Sequence, residues 1–389
     1  MAEHLLFKAG LHPTKAGVAL VEVQRSGTQV WALGADMEVR LPAGFEANVI
    51  IEQTATGGPI AADLRGGVPR RTEIRSVRGD VRVEGASGEF RIDVELGEAT
   101  IGVAEMPRSA IHEMTRLSRE VDDVAFLSWA KPTARAPAHI GAAAVRAINA
   151  GLADGYSETS GWLPLRQAIA RKLQRDNGIA ASPAQILVTV GAIEGLSAAV
   201  MAAVDPGDEV ILPTPTYSTH INQVVLAGGK PVFVPTIEDD GFALDVDGIE
   251  AAITPRTRAI LYCSPNNPTG TVYAEPQLRR LARVALKRDL VVITDEAYEY
   301  FVFDEARHFS IASLPEMRDN AISCFTLTKT YAMTGWRIGY LHAEEGLLSQ
   351  IAKAHIPFAI CAPVVSQHAA LAALEGPQDC IAAFREHYR

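Results

Sequence analysis

Ile186-Leu-Val-Thr-Val190 is an apolar run that leads into Gly191-Ala192-Ile193 and an alanine-rich stretch through Val204. Behind it come the turn Asp205-Pro206-Gly207-Asp208 and a second apolar run, Glu209-Val-Ile-Leu212. A short aliphatic run, a glycine, a helix-length segment and another aliphatic run make the pattern of a strand–helix–strand unit. The alternation continues: strands are expected at Pro231-Val-Phe-Val234, Ala259-Ile-Leu-Tyr-Cys263, Leu290-Val-Val-Ile-Thr294 and Ile322-Ser-Cys-Phe325, with helical stretches such as Gln277 to Lys287 between them. Upstream, Ser182-Pro183 reads as a helix N-cap with proline at the first helical position. Strands that are apolar on successive residues are buried on both faces, so the fold class is α/β, a mostly parallel sheet covered by helices. In such sheets ligands bind outside the carboxyl ends of the strands.

Working outward, the pattern changes before Glu105-Met106-Pro107. Val18-Ala-Leu-Val-Glu-Val23, Met37-Glu-Val-Arg-Leu41 and Phe90-Arg-Ile-Asp-Val-Glu-Leu96 alternate apolar and polar positions, with glycine-rich breaks such as Thr56-Gly57-Gly58-Pro59 between them. That is the period of half-exposed strands. Two domains are therefore expected: 1–104, a small antiparallel β module, and 105–389, the α/β domain. No fixed-period repeat or low-complexity tract is visible.

The composition, 48% hydrophobic and 21% charged over 389 residues, is that of a folded globular protein with a large core. Thirty-six basic against 46 acidic residues give a net charge of −10, which argues against general affinity for nucleic acid or anionic membranes. No apolar run reaches the length needed to cross a bilayer and no leader precedes the first strands, so a cytoplasmic location is expected. Cys263, Cys324, Cys361 and Cys380 show no metal or redox spacing and read as buried free thiols, and no metal site is expected.

Three segments fall at expected strand ends. Ser264-Pro265-Asn266-Asn267-Pro268-Thr269-Gly270 follows one strand, Asp295-Glu296-Ala297-Tyr298 the next, and Thr326-Leu-Thr-Lys329-Thr-Tyr-Ala-Met-Thr-Gly335-Trp-Arg337-Ile-Gly339 the one after. Taken singly each has an ordinary reading: Lys329 as a solvated charge, Asp295 as a cap, Asn267 as a turn residue, Tyr298 as a core ring. In this order, on successive strand–helix units, they resemble the motifs of the class I/II aminotransferases, in the branch that includes many prokaryotic aspartate and aromatic enzymes. The resemblance runs from about Met106 to the C-terminus.

That resemblance implies pyridoxal 5'-phosphate as cofactor, which acts as an electron sink for carbanions formed at the Cα of an amino acid. It implies that Lys329 holds the cofactor covalently and moves the Cα proton, and that Asp295 pairs with the ring nitrogen. Asn267 and Tyr298 would donate to the phenolic oxygen, and Tyr217 would stack on the ring. The helix start Gly191-Ala192-Ile193, Arg337 and the Thr326 hydroxyl would hold the phosphate; at the position of Thr326 relatives usually have serine or glycine. Tyr156, in Gly155-Tyr156-Ser-Glu-Thr-Ser-Gly161, matches a segment that crosses to the other subunit, which implies a homodimer.

Two departures stand out. Ala130 replaces the glycine that relatives usually have near the substrate, and the 60 residues after Lys329 hold no match to the arginine that grips the substrate carboxylate. The C-terminal small domain is therefore expected to be incomplete, which leaves activity of the chain as it stands an open expectation. The expected function is transamination between an L-amino acid and a 2-oxo acid. The alternatives are a β-elimination (C–S) lyase of the same fold and a non-catalytic cofactor-binding regulator.

Overall fold

The computed structural model describes residues 131–389, residues 114, 115 and 117–119, and the backbone of eight short strands between His12 and Val94. The glycine-site departure at Ala130 lies outside the described residues. Contacts divide the chain into two compact units, Met1–Glu105 and Met106–Arg389.

In the first unit, strands His12–Pro13, Ala19–Glu22, Met37–Arg40, Ile60–Asp63 and Val81–Glu84 form one sheet in that order, and Asn48–Gln53, Arg71–Ser76 and Glu89–Val94 form another. The pairing differs from the antiparallel expectation. Met37 registers with Ile60 and Ile60 with Val81, Asn48 with Arg71 and Arg71 with Glu89, all in parallel. Among the described strands the pair His12–Pro13 with Ala19–Glu22 is antiparallel. Period-two alternation is common to both kinds of sheet; direction depends on how the chain returns. Here successive strands from Met37 onward alternate between the two sheets, so each sheet grows by strands pointing the same way.

The second unit is built on a seven-stranded sheet ordered Lys230–Pro235, Glu209–Thr214, Thr257–Cys263, Val291–Asp295, Ala321–Thr326, Gly339–His342, Ile186–Thr189. Gly339–His342 runs against both neighbours, and the others share one direction. The parallel expectation holds; the strand at Gly339, four residues long and close behind the Lys329 segment, is the element that the hydrophobic pattern does not single out.

Burial follows from side-chain alternation. Ile211, Ile260 and Val292 pack with Leu278, Leu281 and Ala285 of helix Glu275–Lys287 on one face. Val210, Leu212, Leu261 and Ile293 pack with helix Gly191–Ala203 on the other. Both faces are covered, which is why these strands carry apolar residues at consecutive positions. A third cluster joins helices Ala138–Asn149, Leu163–Lys172 and Val364–Glu375 to Val188, Phe325 and Tyr340.

His342, on the antiparallel strand, gives the fold a defined acid sensitivity. Burial pushes its imidazole from the usual 6.5 down to about 4, the Glu296 charge acting weakly the other way. The folded pKa lies below the unfolded one, so the contribution is fully present above about pH 6.5. It is lost as pH falls toward 4, because the unfolded chain takes the proton first. Over that window the loss amounts to roughly 3 kcal/mol. His342→Gln should flatten the decline of the unfolding free energy, read from denaturant titrations, between pH 7 and 4 by about that amount; an unaltered decline would clear His342 of this role.

Candidate functional site

The sequence-predicted site residues gather at one edge of the sheet. Tyr217 follows strand Glu209–Thr214, Asn267 follows Thr257–Cys263, Asp295 ends Val291–Asp295, Lys329 follows Ala321–Thr326 and Gly191 follows Ile186–Thr189. Because these strands run the same way, their carboxyl ends share an edge. Gly339–His342 runs oppositely, so Arg337, two residues before its start, arrives at that edge too.

Lys329 lies on the one-turn helix Leu327–Thr330, half-buried, with its Nζ 5.8 Å from the centroid of the Tyr298 ring. Burial lowers its pKa below the ordinary lysine range; the Asp295 carboxylate opposes that shift and the Arg337 guanidinium adds to it. An amine so placed is neutral, and nucleophilic, at lower pH than a surface lysine. Thr326 supports this turn. Its hydroxyl accepts from Thr328 N at 3.1 Å and lies 2.7 Å from the Thr328 hydroxyl and 3.1 Å from the Ile338 carbonyl.

Asp295 is buried, in register with Cys263 on one side and Cys324 on the other. Its Oδ1 accepts from Ala297 N at 3.1 Å, and its Oδ2 lies 3.2 Å from His220 Nε2. His220 Nδ1 is 3.2 Å from the Thr216 hydroxyl, so a ring with its proton on Nε2 donates to Asp295 and accepts from Thr216. Sequence reading missed His220. The available signal was its place three residues after Tyr217 on helix Ser218–Leu226, where both rings reach the same side and meet edge-on at 5.5 Å.

Of the two adjacent asparagines, Asn266 is structural. It is buried, and its Nδ2 donates to the Pro215 carbonyl at 3.0 Å and the Thr269 hydroxyl at 2.9 Å. Asn267 instead lies against the Tyr298 side chain and acts to lower the phenol's pKa. Burial first, and the Asp295 charge next, raise the Tyr298 phenol well above its ordinary range, so it remains a donor.

Gly191 takes φ +76°, and a Cβ there would lie 2.6 Å from Arg337 Nη2. The guanidinium therefore covers the turn where helix Gly191–Ala203 begins, with Nη1 donating to the Thr334 carbonyl at 3.2 Å. Gly339 is needed for the same closeness, since its Cβ would fall 2.9 Å from Ala192 N. Amides opening a helix, faced by an arginine, form a cradle for a phosphate. Ile193 is exposed on the rim. Tyr156 stands apart on the loop before Gly161, 81% exposed.

A cavity of about 340 Å³ opens over Lys329, lined by Lys131, Pro132, Tyr298, Phe301, Phe303 and Tyr388. Among the described residues no cluster of His, Cys, Asp or Glu could hold a metal ion, and no helix is long and apolar enough to cross a membrane. The four cysteines are free.

Comparison with known proteins identifies the family. The family model for aminotransferase class I and II matches residues 129–388. The aromatic-amino-acid aminotransferase 2 of Thermococcus litoralis is 39% identical over 267 residues, 68% of each chain. The aspartate aminotransferase of Geobacillus stearothermophilus is 35% identical over 74% of each. The structure of aspartate aminotransferase from Thermus thermophilus with maleate superposes with a TM-score of 0.70 at 34% identity, covering 76% of this chain and 77% of that one. The chain belongs to the aminotransferase class I and II family. It is a pyridoxal-phosphate-dependent aminotransferase, which transfers amino groups between amino acids and 2-oxo acids.

Proposed function

We propose that Lys329 carries the cofactor and the transferred proton in this transaminase, with Asp295, Asn267, Tyr298, Tyr217, Gly191, Ala192, Ile193, Thr326 and Arg337 forming its cup. The observation that carries the proposal is the setting of Lys329, an amine whose pKa burial lowers, next to Tyr298 and within the fields of Asp295 and Arg337. When bound, pyridoxal phosphate supplies a conjugated ring that accepts the electron pair left when the substrate Cα loses its proton.

The rest is done by side chains. Asp295, held on both oxygens by Ala297 N and His220, presents a fixed negative charge that keeps a ring nitrogen protonated. Tyr298, protonated, and Asn267 donate to a phenolic oxygen. The amides of Gly191–Ile193 and the Arg337 fork would hold a phosphate dianion. Thr326 keeps the Lys329 turn in place through its local bonds, so any contact it makes with phosphate must replace one of them. Lys329, as a neutral amine, would take and return the Cα proton.

We further propose a cytoplasmic homodimer in which the exposed Tyr156 reaches the partner's site, with residues 1–104 as a separate module. The relatives named for aspartate and aromatic amino acids, together with the aromatic rings and the ammonium of Lys131 around the cavity, favour substrates of those two kinds.

Mixing the cofactor-loaded protein with L-amino acid alone tests the reading. One equivalent of 2-oxo acid should form as the cofactor's visible absorbance converts to that of its amine form. Release of ammonia with pyruvate would assign the protein to the lyases instead.

A further inference from the structure

Outside the cofactor cup, helix Leu163–Lys172 passes into a π turn, Leu173–Asn177, closed by Gly178 at φ +68°. In π geometry residues five apart lie on one face, whereas in an α-helix they diverge. The turn thus brings Asn177 Oδ1 within 2.9 Å of Lys172 Nζ, and both side chains close on one carboxylate, that of Glu299. Lys172 Nζ donates to Glu299 Oε1 at 2.6 Å and Oε2 at 2.5 Å, and Asn177 Nδ2 donates to Oε2 at 2.8 Å. The Lys172 and Glu299 side chains are 3% and 5% exposed.

Two features link this pair to the cup. Glu299 directly follows Tyr298, in a turn where Glu299 N bonds the Glu296 carbonyl at 3.2 Å and Phe301 N bonds the Tyr298 carbonyl at 2.8 Å. The neighbouring Tyr300 hydroxyl also bonds Asp176 of the π turn. On its other side the Lys172 ammonium sits 4.7 Å from the Phe325 ring, on the strand that leads into Lys329. Neither Lys172 nor Glu299 lines the cavity above Lys329. Desolvating two charges costs several kcal/mol, so a buried pair is poor glue compared with packed apolar side chains. What it supplies is direction, because three hydrogen bonds from two fixed donor atoms, Lys172 Nζ and Asn177 Nδ2, leave the carboxylate one placement.

We propose that the Lys172–Glu299 pair, set by the π turn, is a positioning device that holds Tyr298 at the donor distance its role in the cup requires. The inference rests on the reading of Tyr298 given above, and the test separates the two. Tyr298 donating to the phenolic oxygen stabilises negative charge there and lowers the pH midpoint of the bound cofactor's visible absorbance. Tyr298→Phe should therefore raise that midpoint by about one unit.

Lys172→Met with Glu299→Leu, an apolar pair of similar bulk, avoids leaving a lone buried charge and should retain thermal stability close to that of the original protein. It should still raise the midpoint by about half a unit or more and lower kcat about tenfold with KM little changed. Added to Tyr298→Phe, it should shift the midpoint no further. An unmoved midpoint and kcat in the apolar pair would make Lys172–Glu299 purely structural and overturn the proposal. So would a shift that adds fully to that of Tyr298→Phe. A Tyr298→Phe protein with an unchanged midpoint would instead overturn the role of Tyr298 itself, and this inference with it.

Discussion

Lys329→Ala is expected to abolish covalent capture of the cofactor and to lower transamination by at least about 10⁴-fold. The size follows from two functions resting on one amine. It is the nucleophile that holds the cofactor, and the base that moves the Cα proton. Among the described residues Lys131 is the one other lysine that lines the cavity, and it is exposed where Lys329 is half-buried. Borohydride reduction followed by peptide mass mapping makes the expectation concrete. The original protein should carry one adduct, on the peptide containing Lys329, and the variant none. A variant that still forms a reducible adduct at full stoichiometry would show that the cofactor is carried elsewhere. Lys329→Arg is expected to fare no better, because a guanidinium retains its proton at any working pH.

Asp295→Asn is expected to leave the cofactor bound but to slow proton removal by about 10²–10³-fold, the usual cost of removing one preorganised charge from a buried site. The amide preserves shape and loses the charge, so the ring nitrogen is no longer held protonated and the electron sink weakens. A second sign follows from the same charge. Asp295 raises the Lys329 pKa, so its removal should move the free protein's Lys329 midpoint further down, measurable by the pH dependence of amine labelling. His220→Asn, which removes a partner of Asp295 and leaves its charge, should cost only about 10–100-fold. Turnover that is unchanged in Asp295→Asn would remove Asp295 from the mechanism.

The candidate site was legible where chemistry is carried by residue type and order. Asn267, Asp295 and Lys329 stand after successive expected strand ends, with Arg337 in the same segment as Lys329, and the structure gathers them. His220 was not legible, because a histidine within a helix is unremarkable until the neighbouring strand end is known to place Asp295 beside its Nε2. Lys172 and Glu299 were illegible for a similar reason. A lysine near a helix end and a glutamate after a tyrosine read as surface charges, and only the π turn and the packing of Phe325 make them a buried pair. In the N-terminal unit the alternation located strands such as Met37–Arg40 and Glu89–Val94, but their parallel direction was not written in the period.

The sequence by itself determined the sheet, because consecutive apolar residues between helix-length segments permit burial on both faces and little else. It also determined which side chains the chemistry needs. The tertiary structure decided their electrostatics and angles. Lys329 has a lowered pKa through burial, Asp295 is fixed through His220, and Gly191 admits Arg337 because no Cβ stands in the way. These are properties of the space between segments far apart in the chain, and hydrophobic period and motif spacing describe the segments alone.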